Sequence, residues 1–105
     1  MADITVQELK KRMDAGEKLN IIDVREPAEY EAANIGVPLV PLSTLTDLSP
    51  FESYREQELI VHCRSGARSG RVVQMLLQAG YKNPRNLVGG IMAWATEIDP
   101  NMTVV

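Results

Sequence analysis

The 105-residue sequence predicts an α/β fold: a small, mostly parallel β-sheet flanked by helices on both faces. Two observations carry this. Short apolar runs rich in β-branched residues, Leu19–Val24 and Glu58–His62, read as buried strands, and each precedes a segment with helical signals. Strands that alternate with helices pair in parallel, because every helical crossover returns the chain to the same end of the sheet.

The elements follow in chain order. Thr5-Val6-Gln7-Glu8 fits a capping box, in which the Thr5 hydroxyl accepts from the Glu8 amide and Glu8 reaches back, with Ile4 and Leu9 at the staple positions. A helix over 6–15 follows and stops at Gly16, a residue suited to the left-handed conformation past a helix end. After the strand at 19–24, Arg25-Glu26-Pro27 opens a short helix that runs to Ala33. Pro38, Pro41 and Pro50 break up the stretch from Asn34 to Glu56, leaving a strand near Val37–Val40 and helical turns near Leu45 and Phe51. Beyond the strand at 58–62, Val72, Val73, Leu76 and Leu77 mark a helix over 69–79 that Gly80 closes. Asn86-Leu87-Val88 supplies a last strand, followed by Gly89-Gly90 and a helix carrying Ile91 and Trp94.

Composition narrows the function. The length suits one domain, spanning 1–105 without repeat or linker, that buries roughly two thirds of the surface its unfolded chain exposes. A net charge of −3 and the lack of a basic stripe argue against a nucleic-acid partner. Apolar runs reach only four to five residues, too short to span a bilayer, so no membrane partner is expected. The amino-terminal stretch MADITVQELKK has no apolar signal core, and the single cysteine excludes an internal disulfide; both point to the cytoplasm.

That cysteine, Cys63, lies where ligands bind in open parallel sheets, after a buried strand and before a helix. Arg64-Ser65-Gly66-Ala67-Arg68 must turn sharply to start that helix, and Gly66 supplies the backbone angles the turn demands. Inward-facing amides and the start of the helix at Ser69 form an anion cradle, which also favours a thiolate. Arg64 and Arg68 add positive charge for an anionic substrate or leaving group. His62 is the chain's only histidine, but as a strand neighbour of Cys63 it points to the opposite face, so a protease-type Cys-His pair is not expected. The competing structural reading is an inert buried thiol. The glycine loop, the two arginines and the helix start favour a nucleophile. One cysteine and one histidine at adjacent positions do not make a zinc site, so neither metal nor other cofactor is expected, and without CxxC a disulfide oxidoreductase is disfavoured.

Three stretches together resemble the rhodanese superfamily. They are Ile21-Ile22-Asp23-Val24-Arg25-Glu26-Pro27-Ala28-Glu29-Tyr30, Val61-His62-Cys63-Arg64-Ser65-Gly66-Ala67-Arg68-Ser69, and Leu87-Val88-Gly89-Gly90-Ile91-Met92-Ala93-Trp94. They are similar to that family's D-x-R-x-x-x-E-[FY], C-x-x-G-x-R-S and GG-x-x-x-W signatures. The resemblance implies a sulfurtransferase in which Cys63 is the catalytic residue. It takes a sulfane sulfur from a donor such as thiosulfate as a persulfide, and a thiol or cyanide-like acceptor removes it. Arg64, Ser65, Gly66, Ala67, Arg68 and Ser69 are then the substrate-binding residues. A protein persulfide is a further partner the family allows.

By the same resemblance Asp23 and Arg25 are scaffold, and Arg25 and Glu29, four apart, are spaced to pair across one helical turn. Trp94 and Gly89-Gly90 read as packing and a tight turn. The alternative within the family is a binding or regulatory module that carries persulfide without turnover. Cell-cycle phosphatases share the fold with a loop one residue longer; His62-Cys63 with Arg68 gives H-C-x4-R rather than H-C-x5-R, a cradle too tight for a phosphoryl group. One departure stands out: where the family carries G-H-I-P-G-A-x-N-I-P, this chain has Ala33-Asn34-Ile35-Gly36-Val37-Pro38-Leu39-Val40-Pro41, with Asn34 in place of the histidine.

Overall fold

A computed structural model describes residues 3–105 of the chain. Four strands, β1 (Asp3–Ile4), β2 (Ile21–Asp23), β3 (Glu58–His62) and β4 (Asn83–Leu87), form one all-parallel sheet in the order β1-β4-β3-β2. Four α-helices connect and cover it: α1 (Val6–Asp14), α2 (Pro27–Ala32), α3 (Ala67–Gln78) and α4 (Gly90–Glu97). Two 3-10 turns, Leu42–Thr44 and Ser49–Tyr54, carry the chain from α2 to β3. Among the described residues no helix is long and apolar enough to cross a membrane.

The period of two along the strands sorts the core into two layers. Ile22, Val24, Leu59, Val61 and Cys63 face one side, packed with Val72, Val73 and Leu76 of α3 and with Phe51 and Tyr81. Ile21 and Ile60 face the other, with Val6 and Leu9 of α1 and Ile91 and Trp94 of α4. Trp94 is therefore packing, as expected. The Thr5 capping box is present in full, and Ile4 and Leu9 are buried in the same cluster.

Several boundaries differ from the sequence reading. β1 is an addition: Ile4 is at once a staple residue and a strand, pairing with Leu87. The expected strand at Val37–Val40 is reduced to a single bridge between Asp23 and Leu39: Pro38 has no N–H to extend the ladder before it, while the Val40 and Leu42 amides donate to the Asp23 and Val24 carbonyls. α3 starts at Ala67, two residues before Ser69, since Gly66 itself stands at the cap position. β4 starts at Asn83 rather than Asn86 and includes Pro84. The proline is tolerated because β1 reaches only Asn86 and Leu87, so at Pro84 the strand has β3 alone as neighbour.

Candidate active site

The site grows out of the carboxyl end of β3. Cys63 follows the last strand residue, and its side chain turns toward α3 at the helix amino terminus. Gly66 adopts φ +103°, a conformation strained for any residue with a Cβ, which lets the chain reverse within three residues. The reversal aims donors at the sulfur. The Gly66 amide lies 3.1 Å from Cys63 Sγ, the Ser69 amide 3.4 Å and the Ser69 hydroxyl 3.3 Å. Burial pushes the Cys63 thiol up, but the Ser69 hydroxyl and the amides of Ser69, Gly66 and Ser65 outweigh it, and the pKa falls below its ordinary value.

The other predicted residues take distinct places. Arg64, Ser65 and Ala67 are exposed around the mouth, and Arg64 Nε donates to the Val105 carbonyl at 2.9 Å. Arg68 does not point freely into the site. Both of its terminal nitrogens hold the Glu29 carboxylate, at 2.7 and 2.8 Å. That contact corrects the expected Arg25–Glu29 pair: Arg25 meets Glu29 only at its backbone carbonyl, 3.3 Å away, and gives its guanidinium to Asp23. The bidentate Arg68 contact holds the Glu29 carboxyl down to about 2, and the same pairing raises Arg68 above its ordinary value.

Asp23 and Arg25 are completely buried and form the frame beneath. Arg25 Nη2 donates to Asp23 Oδ2 at 2.8 Å and to the Ala33 carbonyl at 2.7 Å, tying the end of β2 to the end of α2. This fixes α2 so that Glu29, which also accepts from the Glu26 amide at 3.0 Å, faces Arg68 across the site. The scaffold reading of this pair fits these contacts. Asn34 closes the departing segment locally, with Oδ1 accepting from the Gly36 amide at 2.8 Å and Nδ2 donating to the Tyr30 carbonyl at 3.0 Å.

His62 faces away from the thiol, as strand alternation requires. Its Nε2 lies 3.5 Å from Asp23 Oδ2, its partner in the β2–β3 register. Burial holds its pKa below the ordinary value, against the pull of the Asp23 carboxylate. Among the described residues no group of three or more histidines, cysteines and carboxylates is placed to hold a metal ion.

Gly89-Gly90 locks the rear of the loop. Gly90, at φ +57°, lets the start of α4 press against β3's exit, where the Ile91 amide donates to the Cys63 carbonyl and the Met92 amide to the Arg64 carbonyl, both at 3.0 Å. A residue that the sequence reading gives only as part of the last strand completes the site. Asn86 on β4 lies 2.6 Å from the Ser69 hydroxyl through Oδ1 and 3.1 Å from the Gly66 carbonyl through Nδ2. Nothing in its local sequence marks it, because both partners are brought to it by the sheet.

The parallel sheet and the tight, amide-lined loop at Cys63 define a class of α/β folds with a cradle at the carboxyl end of a central strand. Within that class, the chain belongs to the rhodanese-like domain family, which matches residues 5–97. It is 34% identical over 93 residues to a sulfurtransferase of Allochromatium vinosum, covering 89% of this chain and 87% of that protein. It is 33% identical over 103 residues to the probable adenylyltransferase/sulfurtransferase MoeZ of Mycobacterium tuberculosis, covering 96% of this chain and 26% of that one, so the chain spans about a quarter of that longer relative. In structure it resembles a rhodanese-like domain protein from Staphylococcus aureus, with a TM-score of 0.78, 30% identity, and coverage of 90% and 91%.

Proposed function

We propose that residues 1–105 act as one rhodanese-like unit that moves a sulfane sulfur through a persulfide on Cys63, with thiosulfate as one donor. The observation that carries the reading is the convergence of three donors on Cys63 Sγ without a basic side chain in contact with it. Such a cradle stabilises a negative sulfur and leaves it free to attack. In the first step the thiolate attacks the outer sulfur of thiosulfate. A new S–S bond forms to Cys63, the donor's S–S bond breaks, and sulfite leaves with the electron pair. The charge of the resulting persulfide rests on the outer sulfur, where the loop amides offer it hydrogen bonds. A thiol or cyanide acceptor then attacks that outer sulfur and returns the Cys63 thiolate. The steps as written need no metal or organic cofactor, and the unpaired cysteine suits a reducing cytoplasm.

The test is the intact mass of the reduced protein after thiosulfate and again after cyanide. A gain of one sulfur atom is expected, absent in Cys63→Ser and reversed by cyanide with release of thiocyanate. Folded, reduced protein that takes up no sulfur from thiosulfate or polysulfide would overturn the reading. Loading that occurs once, with no continued thiocyanate formation under excess donor and cyanide, would replace turnover by a carrier role.

A further inference from the structure

The Ser69 hydroxyl has one proton and two claimants: Asn86 Oδ1 at 2.6 Å and Cys63 Sγ at 3.3 Å. The orientation of the Asn86 amide is fixed, because Nδ2 donates to the Gly66 carbonyl at 3.1 Å; turned over, it would set two carbonyl-type oxygens against each other. Oδ1 is thus held as an acceptor, and the short contact gives the hydroxyl proton to Asn86 while Cys63 is neutral. The thiol S–H then faces a lone pair on Ser69 Oγ. Gly70, in the first turns of α3, lies beside this carboxamide: a Cβ there would come into van der Waals contact with Asn86 Nδ2 at 3.4 Å.

We infer that Asn86 is a positioning residue that holds the Ser69 hydroxyl proton in reserve, yielding it to Cys63 Sγ when the sulfur is negative and taking it back when charge moves to the transferred sulfur. Ionisation of Cys63 must break the Ser69–Asn86 bond or forgo the Ser69 donor. Loading reverses this: Sγ becomes a neutral, disulfide-like atom, and the proton returns to Oδ1. Asn86 therefore restrains the free thiolate and favours the sulfur-loaded loop. The inference rests on Cys63 as the sulfur-bearing nucleophile, but the experiment below reads ionisation without any sulfur donor, so the two fail separately.

Cys63 is the chain's only cysteine, so the pH profile of alkylation by iodoacetamide, followed by intact mass, reports its thiolate alone. A hydrogen bond to a charged group is stronger than one to a neutral group, and Asn86 withholds part of that stabilisation. Asn86→Leu is expected to lower the midpoint of the profile by about one pH unit, or tenfold more thiolate below the midpoint. In a Ser69→Ala background the same substitution should leave the midpoint where Ser69→Ala alone puts it. Asn86→Ala serves if the leucine variant does not fold. A midpoint that rises or stays still in the single variant, or that moves equally in both backgrounds, would reduce Asn86 to an anchor for the loop and overturn the inference.

Discussion

Gly90→Ala tests whether the rear wall of the loop sets the position of the sulfur. A Cβ at Gly90 would lie 2.6 Å from the Arg64 carbonyl oxygen and overlap the Cys63 carbonyl as well. Both are backbone atoms that cannot swing aside. The residue also holds φ +57°, which costs a side-chain-bearing residue about 1–2 kcal/mol. Relieving an overlap of this kind in a packed interior costs about 1–3 kcal/mol. The sum is a loss of about 2–5 kcal/mol, against a net stability of roughly 5–15 kcal/mol for a domain of this kind, so the variant should fold at 25 °C with a lowered Tm. The strain moves the Cys63–Arg64 peptides that carry the sulfur, and a displacement near 1 Å at a reacting atom costs about 100-fold in rate. Gly89→Ala is the matched control. Its φ is +77°, but its Cβ would meet the Ala93 side chain at 2.6 Å and neither loop carbonyl. Urea unfolding should show both variants destabilised, whereas single-turnover sulfur loading should collapse only in Gly90→Ala. Loading within twofold of the native rate in folded Gly90→Ala would refute the claim that α4 positions the nucleophile.

Two further outcomes follow from the charged groups around the mouth. Arg64 is exposed, and among the described residues its side chain holds only the Val105 carbonyl, through Nε; Arg64→Ala should raise the KM for thiosulfate several-fold while shifting the urea midpoint little, and an equal loss of stability and activity would count against a donor-binding role. Glu29 titrates near 2 in the fold against an ordinary 4.5, so its contribution is complete above pH 4.5 and is lost as the pH falls toward 2; the shift sets a ceiling of about 3 kcal/mol, which solvent screening at this partly exposed pair reduces to about 1, and Glu29→Gln should flatten that part of the stability profile, a result excluded if native and variant curves stay parallel from pH 5 to 2.

How much of this was legible in the sequence depends on the range of the interaction involved. β2 and β3 announce themselves as apolar runs, α1 by its capping box and α3 by its periodicity, all signals contained within a dozen residues. β1 did not, since a two-residue strand has no period, and it forms only because Leu87 is beside it. The start of β4 was hidden by Pro84, whose tolerance depends on how short β1 is. At the site, Cys63, Gly66 and the orientation of His62 could be read from a strand, a glycine and the alternation of side chains. The partners of the arginines could not. Spacing offered Glu29 to Arg25, four residues away, but the buried Asp23 carboxylate claims Arg25, leaving Glu29 for Arg68, 39 residues distant. Asn86 is 17 residues from Ser69 and 20 from Gly66, and only the register of the sheet joins them.

This exchange of partners bears on how the negative sulfur of the proposed reaction would be held. Arg64 and Arg68 belong to the loop in the sequence, and charge alone would assign both to the sulfur; the fold brings a third arginine, Arg25, beneath it. In the fold Arg25 is spent on Asp23, Arg68 on Glu29, and Arg64 lies outside at the mouth. What touches Cys63 Sγ is two backbone amides and a hydroxyl, all neutral dipoles. A guanidinium locked on a thiolate would deepen the resting state, and part of that stabilisation would have to be given up as the charge moved one atom outward to the incoming sulfur. Fixed amides around a tight loop can serve the charge in either place, and they need little reorganisation as it moves. The buried Asp23 and the partly exposed Glu29 hold Arg25 and Arg68 without either carboxylate touching the sulfur, and on the proposed persulfide route the cradle they leave suits a charge that arrives, shifts by one bond and departs.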